Sequence, residues 1–129
     1  MLNMDIETRD MLIFGSYEQE KYTGGIRRFE GLSAQTLGLL LKLGFTDPGD
    51  SQNGAPAASE MHAFLCKYPD YTAHGYAVGI DRSDYRVSIE GVVKDHGYDS
   101  DRELTDFVRR FRDADELEAG RSRMFCWYD

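Results

Sequence analysis

The stretch Tyr71 to Val93, YTAHGYAVGIDRSDYRVSIEGVV, most restricts what this chain can fold into. Thr72 to Ile80 is rich in small and β-favouring residues. Asp81-Arg82-Ser83-Asp84 is a polar turn, and Tyr85 to Val93 alternates again, so the segment predicts a β-hairpin. If Ile80 lies opposite Tyr85, Val78 faces Val87 and Tyr76 faces Ile89. These six side chains then share one side of the ribbon, because side chains alternate along a strand. The other side carries Ala73, Gly75, Ala77 and Gly79 against Arg86, Ser88 and Glu90. This reading makes the first side a core face and leaves the second for water, a partner or a packed helix.

The other segments arrange themselves around that ribbon. Met11-Leu12-Ile13-Phe14-Gly15 reads as a short buried strand, residues 16 to 25 as a loop or the tip of a hairpin, and Ile26 to Glu30 as a return strand. Ser33 can cap a helix whose Ala34, Leu37, Leu40 and Leu41 form one apolar stripe, with Leu39 and Leu43 on the far side and Gly44 ending it. A helix apolar on two sides is usually sandwiched, here between the sheet and a second helix or a subunit of a homo-oligomer. Thr46 to Ala55 is a turn-rich surface loop. Pro56 to Lys67 is a helix with Met61, Phe64, Leu65 and Tyr68 on one face. Ser100-Asp101-Arg102-Glu103 spells a capping box ahead of a helix with Leu104, Phe107, Val108 and Phe111 buried. Asp115 to Arg123 is polar, and Met124 to Tyr128 reads as a last strand docked in the sheet. The result is one α+β domain over residues 1–129: an antiparallel sheet of four to five strands with three helices, in the order β-β-α-α-β-β-α-β.

Composition fits this picture. The 129 residues are 41% hydrophobic and 29% charged, as in ordinary globular domains. The net charge of −8 is spread along the chain, with five basic against nine acidic residues up to Leu65 and ten against fourteen after it. Phosphate binding needs clustered Lys and Arg, so direct nucleic-acid or anionic-membrane binding is not expected, whereas a basic partner is permitted. Cys66 and Cys126 are too few for a disulfide framework and both lie in apolar segments, which predicts buried free thiols in a reducing cytoplasm. The start lacks the pattern of a signal peptide, and no apolar run is long enough to span a bilayer.

Few residues suggest chemistry. His62 and Cys66 lie four apart on a helix, and His74 and His96 would have to join them to complete a zinc set. No CxxC or HExxH is present, so no metal is expected. Asp95, Asp99, Asp101 and Glu103 gather near a helix start without the register of a calcium loop, which is better explained by capping. No G-x-S-x-G and no phosphate-binding lysine signature occurs, so no cofactor is expected and the catalytic residues are unknown. His74 could serve as a general base if a cleft opens beside it. Arg102, Arg109 and Arg112 share one flank of the last helix and could grip an anion, although Asp106 and Asp113 stand ready to pair with them. Gly75, Ala77 and Gly79 leave a bare strip flanked by Arg86 and Glu90, where a ligand or another backbone could approach closely.

The segments KYPDYTAHGYAVGIDRSDYRVSIEG, FVRRFRDADE and the terminal WYD resemble small uncharacterised proteins of Gram-positive bacteria and their mobile elements. That resemblance implies a bacterial context and brings no activity or catalytic residue with it. The expected function is a noncatalytic accessory or regulatory domain that binds another protein. Two alternatives stand beside it. One is an acidic inhibitor of a DNA-handling enzyme, of the anti-restriction or anti-CRISPR type, which requires a continuous band of carboxylates. The other is a small enzyme using His74 with nearby polar groups, which requires a concave pocket.

Overall fold

The computed structural model describes residues 1–129. In chain order it holds α1 (Ile6–Phe14), β1 (Ile26–Leu32), α2 (Ala34–Lys42), α3 (Ala58–Lys67), β2 (Thr72–Val78), β3 (Val87–Lys94), α4 (Asp101–Phe111), β4 (Glu116–Ala119) and β5 (Met124–Trp127). The five strands form one antiparallel sheet in the order β1-β2-β3-β5-β4. Side chains from all four helices contribute to one apolar cluster, together with Phe29, Leu32, Ala73, Val87, Ile89, Val92, Met124 and Cys126 of the strands. The α+β class and the antiparallel sheet agree with the expectation. The order differs at both ends: the chain opens on a fourth helix, and a fifth strand, β4, lies in the segment read as a polar break.

The first correction concerns residues 11 to 15, which are not a strand but the last turn and cap of α1. Asp5 caps this helix by accepting the Thr8 amide at 3.2 Å, and Gly15 closes it in the left-handed region at φ +78°. Its fully buried side chains are Arg9 and Asp10. The Arg9 guanidinium donates to Asp10 at 3.0 Å, to the Val78 carbonyl at 2.9 Å and to the Tyr22 hydroxyl at 2.8 Å, and it lies 4.7 Å from the centre of the Tyr85 ring. Burial, and next the bond to Asp10, push the Tyr22 phenol above its ordinary range. An ion pair with its donors and acceptors satisfied, more than an apolar stripe, ties α1 to the end of the hairpin.

The second correction is the register of that hairpin. Near the turn, Ala77 pairs with Val87, Tyr76 with Ser88 and Gly75 with Ile89; farther out, His74 pairs with Gly91, Ala73 with Val92 and Thr72 with Val93. One extra residue, Glu90, is therefore accommodated in β3, a β-bulge. The shift by one position inverts the faces of β2 near the turn. Ala73, Gly75 and Ala77 lie with Val87, Ile89 and Val92 under the helices, while His74 and Tyr76 lie with Ser88 and Glu90 on the opposite side. Val78, Val87 and Ile89 are buried as expected, but Tyr76 does not share the core face with Ile89.

The bulge depends on two glycines. A Cβ on Gly75 would stand 1.9 Å from the Ser88 carbonyl oxygen. A Cβ on Gly91 would stand 1.9 Å from the Cys126 carbonyl oxygen and 2.8 Å from His74 Nε2. Both approaches involve neighbouring backbone, which cannot move away without breaking ladder hydrogen bonds.

The helices follow the expected stripes with three exceptions. Leu37 and Leu40 of α2 and Met61, Phe64 and Leu65 of α3 are buried, but Leu39 and Leu43 are exposed, covered by no second helix of the chain. Val108 of α4 is also exposed, while Phe107 and Phe111 are fully covered. At the start of α4, Ser100 Oγ accepts the Glu103 amide at 3.1 Å, but Glu103 reaches back to the Asp99 amide at 2.9 Å rather than to that of Ser100. Its other oxygen is buried against Lys94 Nζ at 2.6 Å and the Tyr71 hydroxyl at 2.7 Å. Burial works to raise the Glu103 carboxyl, but the Asp99 amide, Lys94 and Tyr71 outweigh it and hold the group below its usual range. No helix is long and apolar enough to cross a membrane.

Two outcomes follow for stability. Gly75→Ala and Gly91→Ala should each lower unfolding free energy by about 1–3 kcal/mol or more, read from the urea midpoint. Because the folded Glu103 carboxyl is depressed below its ordinary 4.5, its contribution is present above that pH and is lost as pH falls through the folded value. Glu103→Gln should therefore destabilise the protein at pH 7, and the gap to the parent should narrow as the pH is lowered below about 4.5.

Candidate binding face of the sheet

The side of the sheet away from the helices is open over β1 to β3 and β5 at the end nearer Thr72, whereas Ser88 on the same side is buried. It forms an open trough of about 810 Å³, lined by β1 to β3, β5 and the segments beside them, with no residue from any helix. The chemistry of the trough rests on strand alternation. In β5, Met124, Cys126 and Tyr128 turn into the core and are buried, so Phe125 and Trp127 face the trough and stay partly exposed. Glu116 pairs with Trp127 and Glu118 with Phe125, and directly paired residues point to the same side, so both carboxylates belong to this face.

His74 lies in the floor. Its ring stacks on Phe125, with centroids 5.2 Å apart and planes 6° from parallel, above the notch left by Gly91. Nε2 sits 2.9 Å from the Cys126 carbonyl oxygen. A carbonyl oxygen only accepts, so Nε2 carries the hydrogen and the neutral ring keeps Nδ1 as an acceptor. Burial pushes the His74 imidazole below its ordinary value, against the opposing influence of the Cys126 carbonyl and of Glu90 and Glu30. Arg28 donates to Glu90 at 2.8 Å, which binds the edge strand β1 to the bulge. Arg123 lies over the Phe125 ring at 4.3 Å and 3.7 Å from Glu118. Glu30 and Asp95 line the same trough and form no ion pair.

The structure gathers some of the sequence candidates here and disperses others. His74 and Glu90 meet in the trough. Gly75 also lines the trough, and a Cβ there would meet the Ser88 carbonyl, while Ala77 is buried. Gly79 lies beyond β2 against Tyr22. Arg86 is held by Asp84 at 2.9 Å and by the Tyr76 hydroxyl at 2.9 Å, at the turn end of the hairpin. Arg102 and Arg109 of α4 and Arg112 at its C-terminal cap are exposed, and the pairing expected with Asp106 and Asp113 does not occur. Asp106 instead takes Lys67 at 2.9 Å and the Tyr68 hydroxyl. The sequence reading placed Phe125 and Trp127 in a docked strand without assigning either a face. The alternation Met124, Cys126, Tyr128 against Phe125, Trp127 was the signal for their true side.

The histidines and cysteines do not converge. Cys66 is exposed, contrary to expectation, with Sγ 3.4 Å from His62 Nε2. Cys126 is buried and its thiol is pushed up to about 12 by burial. His96 lies 4.0 Å from both Asp70 and Asp99 at the surface, where Lys94 already supplies Asp99 with a cation at 3.2 Å. Beyond the trough, acids and bases interleave: Arg110 with Glu60, Lys67 with Asp106, and Arg82 and Arg86 with Asp84.

Comparison with protein-family models, curated proteins and solved structures returned no match.

The depressed His74 imidazole has a direct readout. Its ring should titrate in NMR with a midpoint below the ordinary 6.5. Phe125→Ala, which removes the stacked ring and part of the burial, should move that midpoint back toward 6.5.

Proposed function

We propose that this chain is a noncatalytic accessory or regulatory domain that binds another protein with the uncovered face of its sheet. One observation carries the proposal. An α+β domain ordinarily leaves its solvent-facing sheet surface polar. Here that surface presents Phe125, Trp127 and His74, all partly exposed, in a trough free of helices, with Tyr76 partly exposed on the same side of β2. Aromatic side chains bring large contact area at small entropic cost and are enriched in the centres of protein interfaces. The charged residues at its margins resemble the polar rim such interfaces carry.

A second reading, a small enzyme using His74, is favoured by the concavity itself, which gathers His74, Arg28, Glu90 and Asp95. Against it, His74 Nε2 is engaged by the backbone and its ring is half-buried by Phe125.

Affinity capture from host extract separates the readings when run with substitutions. A partner retained by the parent chain should be lost with Trp127→Ala, at about 2 kcal/mol or roughly thirtyfold in affinity, as for a central aromatic anchor. It should be kept with Leu43→Ser, which changes an exposed apolar residue far from the trough. Retention of the partner by a folded Trp127→Ala, Phe125→Ala double variant would remove the open face as its binding surface.

A further inference from the structure

The charges on the open face are not balanced, and the imbalance has a direction. Both guanidinia are already matched, Arg28 by Glu90 at 2.8 Å and Arg123 by Glu118 at 3.7 Å. The remaining carboxylates, Glu30, Asp95 and Glu116, have no basic partner in the chain. Glu30 and Asp95 line the trough with Phe125 and Trp127, and Glu116 stands beside Trp127 on the neighbouring strand. Arg123 shows that a guanidinium already rests on the Phe125 ring, at 4.3 Å from its centre. No phosphate-bearing ligand suits such a face, because the unpaired carboxylates would repel it. A second copy of the chain is disfavoured as well, since each copy brings a net charge of −8.

The strand register adds a geometry. Glu30 lies in the irregular stretch of β1 between Phe29, which pairs with Gly75, and Leu32, which pairs with Ala73, and it lines the trough together with His74. His74 pairs with Gly91. Continuing the register of Val93 with Phe125 sets Gly91 opposite Trp127, and Trp127 pairs with Glu116. From β1 across to β4 the face thus carries a carboxylate, an imidazole, a notch, an indole and a carboxylate. Four strand spacings separate its ends, about 19 Å, which is the reach of roughly six residues of extended chain.

We propose that the partner presents to this face an extended basic segment lying across the strands, with Lys or Arg residues at its ends reaching Glu30 and Glu116 and an apolar side chain between them on Trp127. This rests on the protein-binding reading above and narrows it to a class of ligand. The end charges fix polarity and register, and the aromatic centre excludes water from the contact. The neutral His74 ring leaves an acceptor, Nδ1, free of any partner in the chain for a donor of the segment.

The test is selection of random dodecapeptides displayed on phage against the immobilised full-length chain. Enriched peptides are then measured by fluorescence anisotropy. The expected result is enrichment of peptides with two basic residues about five or six positions apart around an apolar one. Their affinity should weaken as salt rises, and should fall roughly tenfold or more on Glu30→Lys with Glu116→Lys. Both positions are exposed, and circular dichroism of the double variant confirms folding. Peptides that lose binding with Trp127→Ala but are neutral or acidic, or are indifferent to the charge reversals, overturn the basic-segment inference and leave the protein-binding reading in place. Peptides indifferent to Trp127→Ala as well, or a library from which nothing is enriched, overturn both.

Discussion

The sheet depends on a single inserted residue. Strand alternation is strict, so a hairpin that places Val87 and Ile89 in the core would, if unbroken, place Gly91 and Val93 there too and turn Val92 and Lys94 outward. The bulge at Glu90 restores the phase, and Val92 and Lys94 point inward with Met124 beside them. The same insertion leaves Glu90 on the outer face, where it meets Arg28, and leaves Gly91 as a notch that the His74 ring can cover. Core packing on one side and the trough on the other are two results of one local event. It is permitted only because neither Gly75 nor Gly91 carries a Cβ.

Charge reinforces this frame from within. Two clusters lie inside the fold, and each ties a helix to the hairpin. Arg9 and Asp10 join α1 to the Val78 carbonyl, near the turn. Lys94, Glu103 and Tyr71 join α4 to the far end of β3. Isolated buried ions are costly, and these are tolerable because nearly every donor and acceptor is met. Such contacts have narrow geometric requirements, so they set the positions of α1 and α4 more sharply than apolar contact would.

The outline of the fold was legible in the sequence, because periodicity is a strong signal where one face is buried. The hairpin, the stripes of α2 and α3, and the serine caps at Ser33 and Ser100 all followed from it. What failed did so for physical reasons. α1 buries Arg9 and Asp10, and a hydrophobic pattern is blind to a helix held by ions; the apolar run Met11 to Phe14 then imitated a strand. β4, Glu116 to Ala119, is almost wholly exposed and offers no apolar face to detect. The faces of β2 were inverted because two-residue periodicity carries no mark of a bulge except the glycines that allow it. The trough was half legible: His74 and Glu90 stood out as polar residues in a strand, while Phe125 and Trp127 were hidden by their own hydrophobicity.

The strand order has a consequence for how the molecule forms. β2 and β3 are joined by a short turn, as are β4 and β5 at the edge; β1 is separated from β2 by about forty residues of helix and loop, and β5 from β3 by about thirty. Loop closure costs entropy before any distant pairing repays it, so the central ribbon is the natural nucleus and the two flanks zip on afterwards. The aromatic floor of the trough comes from one late flank and its opposite wall from the other. A chain caught midway through folding thus has a hydrophobic core begun but no finished recognition surface, and competence to bind arrives together with completion of the native state.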